Sequence, residues 1–189
     1  MVEFLISKGI RVKSKKNSLL MKFLNKLLFF NTNFMDYTTT IGNTIYTDNY
    51  KGDVLCHEYI HIYDYSNKGK IKYFLMYLFP QILALFALLS FFSLWFLLFL
   101  IFLLPIPSPT RTKIELRGYA GNILYWRSQK LVPSEEYYYW ISKQFSSFAY
   151  YKMWPWMSVK MLKKELNSIL DFDIYTEPFK ELSDHLKLA

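Results

Sequence analysis

The sequence predicts a predominantly helical α+β fold built around one hydrophobic core. Three observations predict it. Apolar residues recur at the i, i+3, i+4 spacing of helices through most of the chain. One short segment, Thr38 to Thr47, is instead rich in β-branched residues and broken by Gly42-Asn43. The length, 189 residues, suits a single domain.

Residues 1 to 30 read as helical. Leu19, Leu20, Phe23, Leu24, Leu27 and Leu28 form a stripe, with Lys22, Asn25 and Lys26 between them. Two readings of that helix stand side by side: packed on the protein surface, or basic and interfacial, lying on lipid. Thr38 to Thr47 reads as a short hairpin or a bent strand. Asp53 is placed to cap a helix starting at Val54. Further helices fit Arg111 to Gln129, Ser134 to Tyr151 with Ser134 as cap, and Trp156 to Leu170 behind Pro155. Aromatic residues crowd Tyr137 to Trp156, as core or as an interfacial belt.

No charged side chain occurs from Tyr73 to Thr110, and Ile82 to Leu104 is interrupted only by Ser90 and Ser93. A run this uniformly apolar predicts membrane insertion. It ends at Pro105, Pro107 and Pro109, a stiff extended exit. The net charge of +8, with Arg11, Lys13, Lys15 and Lys16 clustered near the N-terminus, suits an anionic lipid surface. No nucleic-acid motif accompanies it, so nucleic acid is not an expected partner. The single cysteine, Cys56, excludes an intrachain disulfide framework.

The sharpest chemical signal is His57-Glu58-Tyr59-Ile60-His61. Positions i and i+4 of a helix differ by about 40° in azimuth and about 6 Å in height, so two imidazoles there can converge on one tetrahedral metal. Glu58, about 100° round, is free to serve as general base. The flanks Val54, Leu55, Tyr59, Ile60, Ile62 and Tyr63 are uncharged, as befits a helix buried behind a metal site. Asp64 is badly placed to be a third ligand, and His185 lies in a polar tail. The better third ligand is Glu115, within Arg111-Thr-Lys-Ile-Glu115-Leu-Arg117-Gly118-Tyr119-Ala120. Two histidines and a glutamate make the donor set of a catalytic zinc with an open fourth position, one ion per chain. Gly118 and Ala120 are small enough to let the second helix lie close against the first. Tyr119 and Tyr46 are candidates for stabilising an oxyanion.

His-Glu-x-x-His followed by an aspartate, then Glu-Leu-Arg-Gly-Tyr-Ala, resembles the gluzincins, zinc peptidases whose third ligand is a glutamate on a later helix. It is most similar to the mitochondrial inner-membrane family that processes an ATP-synthase subunit, and to uncharacterised zincin-like proteins of bacteria and phages. The resemblance covers residues 54 to 64 and 111 to 122. It implies a minimal zincin-like domain over residues 1 to 189, His57, His61 and Glu115 as zinc ligands, Glu58 as base, and Asp64 as a residue supporting the ligands. The apolar insertion departs from that mitochondrial family, so its substrate does not carry over.

A shared zinc also constrains topology. His61 and Glu115 must lie on one side of the bilayer, and two full crossings need about 40 residues plus a turn. Residues 71 to 104 are too few. The expectation is an inserted helical hairpin, Ile71–Leu89 and Phe91–Leu104, that dips into one leaflet or spans a thin bilayer, with Pro80 kinking its first arm. Lys68, Lys70 and Lys72 before it, and Arg111, Lys113 and Arg117 after it, put both ends on the cytoplasmic face. The expected function is a membrane-anchored zinc metallopeptidase acting on a protein or peptide. The alternative is a non-catalytic, membrane-anchored structural or interaction protein with a vestigial or structural metal site.

Overall fold

The computed structural model describes residues 1–27, 34–147, 152–173 and 175–187. In chain order the elements are α1 (Val2–Ser7), β1 (Arg11–Lys13), α2 (Leu19–Leu27), β2 (Thr39–Ile41), β3 (Thr44–Tyr46), α3 (Gly52–Asn67), α4 (Lys70–Leu78), α5 (Pro109–Ser128), α6 (Glu135–Ser146), α7 (Val159–Asp173) and α8 (Phe179–His185). Two 3-10 helices, Gln81–Phe91 and Leu94–Leu103, lie between α4 and α5. The fold is therefore α+β and predominantly helical.

The Thr38–Thr47 segment forms a hairpin rather than a bent strand. Thr39 pairs with Tyr46 and Ile41 with Thr44, antiparallel. Gly42 has φ +56, the positive value that a Gly-first two-residue turn requires. The N-terminal region is not helical throughout. Gly9 breaks α1 with φ +72, and Arg11–Lys13 runs as a strand parallel to β3. A three-residue strand has too few positions to show its alternation, and its basic residues disguised it. Among the described residues, the sheet order β1-β3-β2 leaves β2 with one free edge. Leu28 lies outside the described residues. Leu19, Leu20 and Phe23 are exposed, whereas Met21 between them is fully buried.

Lys15 anchors the free edge. Its ammonium donates to the carbonyls of Phe34 and Tyr37, at 2.5 and 2.6 Å, and to Thr39 Oγ1 at 2.7 Å. The side chain is buried, and burial pushes its pKa down to about 8. The lysine thus ties the approach to β2 back onto the β1–α2 loop.

The helices assemble around α5, which packs against α3, α4, α7 and α8. Their facing side chains make the core: Leu55 and Ile60 from α3, Leu116, Ile123 and Leu124 from α5, and Leu162, Leu166 and Leu170 at four-residue intervals on α7. Each such residue contributes about 1.5–3 kcal/mol by leaving water. Ser108 caps α5, with Pro109 at its first position, and Ser134 caps α6 through the Tyr137 N–H. Asp53 is not the cap of α3. The helix starts one residue before it, and Asp53 accepts instead from the Val54 N–H and the Trp126 indole. The aromatic run divides between both environments. Phe145 is fully buried in the core, whereas Tyr139, Trp140 and Trp156 are exposed.

The apolar insertion differs from the two arms expected. Its first part is α4, which bends by 89° into the 3-10 helix Gln81–Phe91. The break falls at Phe79-Pro80, because proline removes a donor and blocks helix continuation. A second break at Phe92-Ser93 turns the chain back along Leu94–Leu103. Among the described residues no single helix is long and apolar enough to cross a membrane. Phe86 and Phe99 meet between the two 3-10 helices, with ring centroids 5.2 Å apart. Much of the hairpin is exposed, Leu88, Phe91, Phe92, Leu94, Trp95 and Leu98 among its side chains, whereas Ala87 is buried.

Its entry and exit are stapled together. Ser108 Oγ donates to the Phe79 carbonyl, Thr110 Oγ1 to the Met76 carbonyl at 2.7 Å, and Arg111 Nε to the Tyr77 carbonyl at 2.8 Å. Both ends of the hairpin therefore leave the domain at one place.

Replacing Lys15 by Met should lower stability by about 1–2 kcal/mol, because three partly buried acceptors lose a charged donor. Chemical denaturation of the purified variant measures it, and an unchanged midpoint would show that these hydrogen bonds contribute nothing net.

Candidate metal centre

Helices α3 and α5 bring His57, His61 and Glu115 to one point. One donor atom from each lies within 4.8 Å of the others. His57 Nε2 is 3.4 Å from Glu115 Oε2, and His61 Nε2 is 3.6 Å from it. The two Nε2 atoms are 2.9 Å apart. Donors bound at about 2.0–2.1 Å in a tetrahedron sit about 3.3 Å from one another, so the triad has nearly the spacing of three zinc ligands.

The surroundings prepare both imidazoles for that role. His57 Nδ1 is 3.1 Å from Asn122 Oδ1, and the Asn122 amide in turn donates to Tyr137 Oη at 3.0 Å. An amide oxygen accepts only, so the His57 proton belongs on Nδ1 and the lone pair on Nε2. His61 Nδ1 pairs with Tyr73 Oη at 3.1 Å, and Tyr77 Oη donates to Glu115 Oε1 at 2.9 Å. Each ligand thus has an orienting partner, the arrangement that sets tautomer and ring angle at metal sites.

Electrostatics agree with a cation site. Glu115 is buried, which opposes ionisation, yet the histidines beside it, the charge of His61 foremost, hold its carboxyl well below the usual range. Burial opposes charge on His61 too, but the Glu115 carboxylate outweighs it and raises the pKa above 6.5. Cys56, next to His57 in sequence, is fully buried, and burial pushes its thiol up, so it remains a neutral core residue.

Close helix packing makes the convergence possible. A Cβ on Gly118 would stand 2.6 Å from His57 Nε2, and one on Gly121 would stand 3.0 Å from Ile60 Cγ1. The His57 ring occupies the space that any side chain at 118 would fill. Gly118 plays the part expected of it, and Gly121 adds a second point of close approach that the sequence reading missed. Asp64 fixes the register. It accepts from Arg117 Nε at 2.9 Å and Nη2 at 3.1 Å, and from Lys68 at 2.9 Å. It supports Glu115 from two residues away, through Arg117, without touching a ligand.

The triad faces a cleft of ≈ 590 Å³. One rim is β2 and its turn, with Thr38 to Gly42; the other is Tyr73, Phe74, Tyr77 and Leu78 of α4. Glu58 lines the floor beside the histidines, and Thr40 Oγ1 donates to its Oε2 at 2.6 Å. The two tyrosines proposed for an oxyanion lie elsewhere. Tyr119 is buried behind His57, its ring 4.8 Å away and edge-on, and Tyr46 is in β3 outside the cleft lining. Tyr73 and Tyr77 face His61 and Glu115 of the candidate triad in their place. A four-residue spacing of tyrosines in a helix that is apolar after Lys72 was the available signal. His185 is remote from the site, stacked on Phe4 at 4.2 Å.

No family model, curated protein or solved structure matches this chain.

Gly118→Ala should displace the His57 ring and abolish stoichiometric metal binding, read by elemental analysis of the purified variant. Tyr73→Phe and Tyr77→Phe should each weaken zinc affinity by about 10–100-fold, since outer partners of ligands contribute on that scale. Full affinity in both would show that the hydroxyls orient nothing.

The metal-free fold should also have a pH optimum. The raised His61 pKa contributes stability that is complete below 6.5 and is lost as pH rises through the folded value. The lowered Glu115 pKa contributes stability that is complete above 4.5 and is lost as pH falls. Chelator-treated protein should melt higher at about pH 5.5 than at about pH 8.5, with a smaller difference in Glu115→Gln. Equal melting temperatures would remove the ion pair from the account.

Proposed function

We propose that this protein is a membrane-anchored zinc metallopeptidase with its site on the cytoplasmic face. The observation that carries the reading is the convergence of two histidines and a buried glutamate on one side of a cleft, with Glu58 on the floor of that cleft and outside the triad. A purely structural site has no use for the added carboxylate. The donor chemistry suits zinc, which when bound polarises a carbonyl and lowers the pKa of water.

The chain's own residues supply the rest. Glu58 takes the proton of the attacking water and passes it to the leaving amine, while Thr40 holds its carboxylate in place. The free edge of β2 can pair with an extended peptide, satisfying its backbone and laying a carbonyl across the triad. Arms of 11 and 10 residues, at about 2.0 Å per residue, reach roughly 20 Å, short of a hydrocarbon core of about 30 Å. With entry and exit stapled together, such a hairpin dips into the bilayer and returns. That topology keeps His61 and Glu115 on the same side.

Metal content and peptide hydrolysis test the reading together. The detergent-purified protein should carry about one zinc per chain. His57→Ala and Glu115→Ala should lose it, and Glu58→Gln should retain it with hydrolysis reduced at least about 100-fold. Zinc retention in Glu115→Ala would refute the third ligand. Full activity in Glu58→Gln would refute the base, and a zinc-loaded but inert wild type would leave a non-catalytic membrane protein.

A further inference from the structure

Helix α4 is a wall with two different faces. Tyr73 and Tyr77 turn toward the metal ligands, which their hydroxyls touch. Ile71 and Leu75 fall on the opposite side, since helical positions two apart differ by about 200°, and Phe79 follows at the end of the helix. They are exposed, at 77%, 45% and 47%. The stripe begins between Lys70 and Lys72 and continues, past the buried Pro80 and half-buried residues 81–84, to the exposed apolar side chains of the hairpin. The bend between α4 and the first 3-10 arm is 89°. An arm entering a bilayer along its normal therefore leaves α4 lying in the plane of the surface. An amphipathic helix with lysines at its edge suits the anionic headgroup layer.

From this geometry we infer that the cleft acts on peptide bonds next to the bilayer boundary, in the juxtamembrane segment of a membrane-anchored protein. The inference rests on the metallopeptidase reading and specifies its substrate. Only the thickness of α4, about 10–12 Å, separates the ligands from the lipid-facing stripe. An extended chain advances about 3.3 Å per residue, so a bond at the triad lies about 3–5 residues from the point where the substrate leaves the membrane. The cleft wall built by Phe74 and Leu78 is apolar, as a wall meeting such a segment should be. A soluble peptide has no reason to reach this depth.

Two measurements test this. In the first, single cysteines at Ile71, Leu98 and Val132 carry an environment-sensitive fluorophore in phosphatidylcholine–phosphatidylserine vesicles. The native Cys56 is buried and does not compete. Quenchers on the lipid headgroup should reach Ile71, quenchers deep in the acyl chain should reach Leu98, and neither should reach Val132. An unquenched Ile71 beside a quenched Leu98 would place α4 away from the lipid and overturn the inference. So would self-quenching at Ile71 and Leu98 without lipid quenching, because a second copy would then cover the stripe.

The second measurement compares one cleavable sequence in two anchored substrates. One holds it about 4 residues from a transmembrane anchor. The other holds it on a rigid helical spacer of about 20 residues, about 30 Å away. The near substrate should be cleaved at least about 10-fold faster, a difference of about 1.4 kcal/mol in the barrier. Equal rates, or equal cleavage of the free peptide, would overturn the inference and leave the peptidase intact. Cleavage of none of them by zinc-loaded protein would remove the peptidase reading and the substrate with it, whatever the depth measurement shows.

Discussion

The close approach of α3 and α5 is the constraint on which the rest of the molecule depends. Neither helix carries a complete set of ligands. His57 and His61 come from one and Glu115 from the other, and their atoms meet because Gly118 and Gly121 remove the side chains that would hold the helices apart. The Asp64–Arg117 pair then sets how far one helix slides along the other. A shift of one turn, about 5.4 Å, would carry Glu115 out of reach. Arg117 also binds Asp173 at 2.6 Å, so α7 is tied into the same register.

The second organising feature is the way the insertion is attached. Between the two helices that carry the triad the chain makes a long apolar excursion, yet it leaves and returns at one point, where Ser108, Thr110 and Arg111 bond carbonyls near the end of α4. This closure lets an exposed hairpin coexist with a rigid site. The same α4 backbone carries the tyrosines that orient His61 and Glu115. The apolar hairpin and the candidate site therefore share one helix. Movement of α4 would be felt at the ligands through two hydroxyls rather than through a flexible linker.

The cleft has unequal rims for a related reason. On one side β2 offers polar threonines and an unpaired strand edge, held from behind by the buried Lys15. On the other, α4 offers tyrosines, Phe74 and Leu78. Backbone pairing and apolar contact are thus separated across the cleft, and the triad with Glu58 lies between them. An extended peptide bound there would meet main-chain partners on one flank and side-chain contacts on the other.

Much of this was legible in the sequence, because it rests on spacing. A four-residue interval puts two histidines on one helix face wherever that helix sits. The helix around Glu115, its small residues and its glutamate follow from local pattern, as do the Ser134 cap and the Gly42 turn, whereas Pro109, expected in the extended exit, begins that helix behind the Ser108 cap. The parallel strand at Arg11–Lys13 was hidden, since only its partner β3, more than thirty residues later, makes it a strand. So were the roles of Lys15, Asn122 and Tyr73: a side chain reveals its partner only when distant segments pack. Tyr119 shows the converse, a plausible site residue by proximity in sequence that the fold turns into core behind His57. By itself the sequence determined which chemical groups are available and on which face of which helix they stand. The tertiary structure alone decided which faces meet, because close packing of two helices depends on contacts between residues far apart in the chain.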